Sequence, residues 1–160
     1  MCRPYYYKDV SHDLRLQRVI IANYDPSYIK DPTTFTSRSK RGDTYKTNLT
    51  VTVRQTWSKN ITMMIYYKNA ENDVEHVLLT SQICEAMKLK WIGHLTQKYT
   101  DFPESCDIPS SSYHVVNMEL KPQDFPLPLP SGEHYVGILF VLTKTRHVFL
   151  DVMGAIHVVK

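Results

Sequence analysis

The chain has 160 residues, 42% of them hydrophobic and 22% charged, with a formal net charge of +3. That length and balance read as one globular domain, residues 1–160, with a sizeable core, and they exclude a largely disordered chain. No apolar run approaches the ~20 residues of a membrane-spanning helix, and no basic stripe interleaved with aromatics points to nucleic acid; only Arg38, Lys40 and Arg41 cluster, as a solvated loop or a contact for anionic headgroups.

The first twelve residues, MCRPYYYKDVSH, carry no signal-peptide h-region. His12–Ala22 reads as a first strand. Leu14 and Leu16 alternate with Arg15 and Gln17, then the pattern slips to a continuous run at Val19–Ala22, which a bulge near Arg18 explains. Residues 23–41 are rich in Asp, Pro, Ser and Thr, with Asp25-Pro26 and Asp31-Pro32 as turn formers. A long connection is expected there, with room for a short strand around Tyr28 or Phe35. Tyr45–Trp57 is the cleanest strand: Leu49, Val51 and Val53 point one way, Asn48, Thr50, Thr52 and Arg54 the other. Asn60–Lys68 follows as its antiparallel neighbour, with Ile61, Met63, Ile65 and Tyr67 on one face, and after a turn Val74–Thr80 makes a short strand.

Then the period changes. Ile83, Met87, Trp91 and Leu95 recur every four residues, which predicts one amphipathic helix over Ser81–Tyr99 capped by Ser81, its stripe lying on the sandwich. A loop over 100–109 leads to the strand Tyr113–Leu120, in which Val116, Met118 and Leu120 share a face. Pro122, Pro126, Pro128 and Pro130 make the next link an extended corner, because proline lacks the ladder N–H. Strands at His134–Leu142 and His147–Val159, joined by the polar tip 143–146, complete the pattern. In the last of them Val148, Leu150 and Val152 alternate against Asp151.

Catalytic and metal patterns are missing. The seven histidines show no i, i+4 pair and no H-x-E, and there is no C-x-x-C, nucleophile elbow, P-loop or dinucleotide fingerprint. The chain therefore reads as a non-enzyme with no cofactor and no metal. Met63, Met87 and Met118, with Trp91 and Phe140, fall on inward faces of different elements; by composition alone they read as plain core, although Met also lines accommodating apolar sites.

The order of features from 82 to 160 carries a resemblance. QICEAMKLKW at 82–91, FPESC at 102–106, a strand opening with Tyr113, then LPLPSG, a long apolar strand and a closing strand with Gly154 resemble the ML (lipid-recognition) superfamily. The likeness is to secreted insect proteins of largely unknown function, and more distantly to the CheB chemosensory proteins and the ganglioside activator protein. It covers roughly 61–160 well and the first third poorly. It implies an all-β, immunoglobulin-like sandwich with one inserted helix, whose sheets splay around a cavity for lipid tails. On this reading Val51, Val53, Met63, Ile65, Met118, Leu120, Ile138 and Phe140 supply the walls, and Met87 and Trp91 shape the mouth of an apolar space of several hundred Å3, the usual ligand-pocket scale.

The resemblance also implies a bridge between Cys84 and Cys106, which leaves Cys2 free or paired between molecules; the alternative is three thiols of a cytosolic protein. Two sequons, Asn48-Leu49-Thr50 and Asn60-Ile61-Thr62, join it in favouring an extracellular glycoprotein whose signal is missing from this chain, with Asn48 the more accessible acceptor. The function expected is a secreted monomer that holds a fatty acid, sterol, glycolipid or hydrocarbon pheromone, with a membrane surface or a receptor as further partners. The alternatives are an extracellular protein-recognition sandwich with a filled core and a lipid-presenting activator of a separate hydrolase.

Overall fold

The computed structural model describes residues 13–121 and 124–159, so the expectations for Cys2 and Pro122 fall outside the described residues. Among the described residues, eight strands form two antiparallel sheets. The larger runs β1 (Asp13–Tyr24), β8 (Val148–Val159), β7 (Gly132–Leu142), β4 (Ile61–Asn69) and β5 (Glu75–Gln82), in that spatial order; the smaller runs β2 (Ile29–Ser37), β3 (Lys46–Val53) and β6 (Ser111–Met118). Two helices, α1 (Ile83–Met87) and α2 (Lys90–Tyr99), lie between β5 and β6 in the chain. The architecture is an all-β sandwich with a small helical insertion, as expected.

Bulges decide which side chains face inward, because one extra residue flips the parity of everything beyond it. In β1 the register against β8 slips between Leu16 and Arg18, close to the expected place, and Leu14, Leu16 and Val19 are all buried despite their mixed parity. In β6 the slip lies between the partners of Thr47 and Leu49, where Asn117 takes a positive φ of 50°. Val115 and Met118 consequently turn inward while Val116 is 53% exposed, which corrects the expectation that Val116 and Met118 share a face. In β8 a slip opposite Phe140 and Val141 lets Phe149 enter the core with no exposure at all, beside Leu150.

Three further expectations are corrected. Asn60–Lys68, read as the antiparallel neighbour of Tyr45–Trp57, forms β4 in the other sheet, paired to β5 and β7. Residues 29–37, read as part of a long connection with room for a short strand around Tyr28 or Phe35, form a full nine-residue strand paired to β3. Asp31, at a φ of 49°, and Pro32 interrupt the register between Lys30 and Thr33 without ending the strand, since β2 is an edge where a missing N–H costs no ladder bond. The expected single helix is two. Ser81 ends up in β5, and Leu89 breaks the helix with an extended φ/ψ of −65°/128°. A four-residue spacing winds about 40° per step around a helix of 3.6 residues per turn. In a straight helix Ile83, Met87, Trp91 and Leu95 would drift across the whole apolar face; with the break at Leu89 all four border the same internal space.

The two sides of the sandwich close differently. At one side the edge strands meet directly, with Val19 N–H donating to Thr36 Oγ1 at 3.2 Å. At the other side the edges β5 and β6 are bridged by α1 and α2, which pack on β4, β5 and β6. The described core falls into two apolar clusters that share Met87, Phe140 and Val152 at their border.

Candidate functional site

One cluster is filled. Phe149 sits between Tyr28, at a ring-centre distance of 5.3 Å, and Trp57, at 5.5 Å, and Trp57 in turn packs at a tilt against Phe140 at 4.9 Å. Trp57 is held by paired backbone bonds with Ile108, both 2.8 Å. Val51 and Val53, expected as walls of a cavity, are instead 3% and 0% exposed inside this packing and do not border open space. Phe149 escaped the sequence reading because its parity in β8 is set by the bulge.

The other cluster encloses a partly open cavity of about 210 Å3 beneath the helices. Its floor is Met63 and Ile65 of β4 with Ile138 and Phe140 of β7, adjacent strands whose cross-strand pairs align Met63 with Phe140 and Ile65 with Ile138. Val115 and Met118 of β6 face the floor. Ala86 and Met87 of α1 and Trp91, Ile92 and Leu95 of α2 form the roof, and Trp57, Phe102 and Ile108 close the end next to the filled cluster. Met63, Ile65, Met87, Trp91, Met118, Ile138 and Phe140 are thus brought together. Leu120 is not; it packs on the same cluster from outside and borders a surface groove with Leu14, Arg15 and Arg38. The space is smaller than the several hundred Å3 expected.

The lining offers almost nothing to hydrogen-bond. Its two hydroxyls are turned onto backbone: Thr96 Oγ1 donates to Ile92 O at 2.8 Å, and Thr100 Oγ1 donates to Thr96 O at 2.6 Å. Sequence reasoning missed Phe102 and Ile108 because loop residues carry no periodicity, and Val115 because of the β6 bulge. Ile83 and Leu95, by contrast, belonged to the visible four-residue stripe and border the cavity as well.

The roof is pinned at both ends. At the C-terminal end Thr100 bridges to Val115, and Asp101 clasps His114: His114 N–H donates to Asp101 Oδ1 at 2.6 Å, and the ring Nδ1 meets Oδ2 at 2.7 Å. Partial burial raises the Asp101 carboxyl, but the hydrogen bonds from His114 outweigh it and hold the group below its ordinary value. At the other end Cys84 of α1 lies against Cys106, its Sγ 4.0 Å from the Cys106 carbonyl oxygen, both residues being unbridged thiols here. Hydrogen bonding to Cys106 and then burial push the Cys84 thiol up, so it stays protonated at neutral pH.

The sequons differ from expectation in rank. Asn48 is half-buried on central strand β3, its side-chain oxygen accepting from Asn117 N–H at 3.1 Å. Asn60 is exposed at a turn, where its Oδ1 accepts from Ser58 N–H at 2.9 Å.

Fold and site define a two-sheet antiparallel sandwich with an apolar internal space under a two-helix cover. No family model matches the chain, and no curated protein does. Among solved structures it is similar to chicken MD-1 complexed with lipid IVa, at 10% identity and a TM-score of 0.44 over 92% of this chain and 98% of that one.

Proposed function

We propose that this protein holds the apolar chain of a lipid-like small molecule between its sheets, for transport or presentation and not for turnover. The observation that carries the reading is the cavity of about 210 Å3, whose lining is apolar apart from two hydroxyls already bonded to backbone and the indole N–H groups of Trp57 and Trp91. An apolar protein cavity of ~150 Å3 stays dry and takes up an apolar guest. Each methylene buried there contributes ~0.8 kcal/mol. The volume lies below the ~300 Å3 at which pockets for drug-sized molecules begin, which favours a single chain over a sterol or a multi-chain glycolipid. The ligand class is the one implied by the ML resemblance.

The proposal includes an extracellular location, a Cys84–Cys106 disulfide and glycans on the two sequons. Supporting the disulfide is the closeness of the two cysteines; supporting a glycan at Asn60 is its exposure. Native mass spectrometry after gentle purification should find retained ligand mass, and a fluorescent fatty acid should bind saturably. Bare protein mass together with no saturable binding overturns the reading.

A further inference from the structure

A surface groove of about 530 Å3 adjoins the cavity, sharing Met87, Thr96 and Phe102 with it. It runs along the break between α1 and α2, and its lining changes character from the cavity's. Lys88, Leu89 and Lys90 stand at the break, followed by His94 and Gln97 on the outer face of α2, with Pro103 and Glu104 opposite. All of Lys88, Leu89, Lys90, His94 and Gln97 are exposed. The ten residues of α2 include two lysines and a histidine but no acidic residue. Among the described residues Glu104 is the one carboxylate lining the groove, and Lys88 is partly engaged by Glu85 at 3.2 Å, an exposed contact that competes weakly.

Apolar depth and cationic rim together specify a molecule with two ends. Resting on the reading proposed above, we propose that the groove is a headgroup subsite and that the ligand is a single-chain amphiphile with an anionic head. The tail fills the cavity past Met87, and the head stays in the groove near Lys88 and Lys90. The cavity excludes the charged head, because a charge without a partner has no favourable place among Met, Ile and Trp side chains. Solvated lysines at the rim accept it at no desolvation cost of that size. An exposed ion pair changes affinity by up to about fivefold, which sets the scale of the selectivity.

Three probes with the same tail test this: decanoate, decanol and decyltrimethylammonium, titrated below their aggregation thresholds against the intact chain. The expected order is anion over alcohol over cation, with the carboxylate about fivefold or more tighter than the ammonium. In the Lys88→Glu/Lys90→Glu protein that preference should vanish or reverse, while decanol binding stays within about twofold of the original. The Lys88→Gln/Lys90→Gln protein, which removes charge without inverting it, should fall between. Equal binding of anion and cation by the original protein overturns the headgroup subsite, as does a preference that survives charge reversal; in both cases decanol binding keeps the cavity reading intact. Failure of all three probes to bind removes the cavity reading and the subsite with it.

Discussion

The interior of this sandwich is mainly apolar, yet one region is closely packed and the other holds a cavity. Around Phe149, where Ile29, Val53 and Phe149 itself have no exposure, three ring contacts and paired strands bring the side chains into close contact. Under α1 and α2, side chains of similar kind leave about 210 Å3 open. The difference does not follow the edges of the sandwich: the cluster with the cavity includes Leu14, Leu16 and Val19 of β1, and the filled one includes Ile83 and Cys84 of α1. It lies in what meets across the interior, the rings of Tyr28, Trp57 and Phe149 in one region and a roof that includes the small Ala86 and the pliable Met87 in the other. Composition makes an interior apolar; the shapes that meet across it decide whether it is filled.

The largest expected effect breaks the comparison if it is wrong. Phe149→Ala should cost ~3–5 kcal/mol, as truncation of a fully packed aromatic does, and Met118→Ala clearly less than the usual ~2–5 kcal/mol, since part of its surface already faces open space. Denaturant unfolding of both variants measures the gap, and equal losses would mean that the space beneath the helices is packed in solution.

Next is the pin between α1 and the loop after α2. Cys84 and Cys106 are 22 positions apart, and closing that loop in oxidising conditions should add about 3 kcal/mol of stability. Peptide mapping of non-reduced protein identifies the bridge, and unfolding with and without reductant gives its size. Free thiols at both positions after secretion from an oxidising host refute this.

Enlarging side chains sharpens the contrast from the opposite direction. Met118→Trp fills existing space, so it should leave the melting temperature nearly unchanged while abolishing binding of a fluorescent fatty acid. Val51→Phe, in the filled cluster, should cost ~1–3 kcal/mol through overpacking and leave binding in place. A variant pair with the opposite pattern would reverse the assignment of the two regions.

The smallest effect concerns the clasp that holds the helix cover to β6. The Asp101 carboxyl titrates below its ordinary value of 3.8, so as the pH falls the unfolded chain takes up that proton first. The clasp therefore contributes fully above about pH 4 and is lost as the pH drops through the lower folded value. Asp101→Asn should flatten the acid limb of the stability curve over that range, by less than ~1 kcal/mol because both partners are about half exposed. An unaltered acid limb would show that the clasp contributes nothing.

Much of this fold follows from local pattern. The period-two runs in β3 and β4, the long apolar run of β7, the polar hairpin before β8 and the slip in β1 are written in adjacent residues, because alternation reflects one buried and one wet face. The three methionines and Trp91 that meet at the cavity were visible in the same way, as inward positions on separate elements. What the chain order alone could not determine depends on pairing between distant segments. The bulge that turns Val115 in and Val116 out exists only against β3, and the one that buries Phe149 only against β7. Val51 and Val53 have the alternation of cavity walls but face Trp57, Ile108 and Phe149, which fill the space in front of them. Whether an inward apolar side chain meets another side chain or open space is a property of the opposite sheet and its cover, and in this molecule the break at Leu89 shapes that cover.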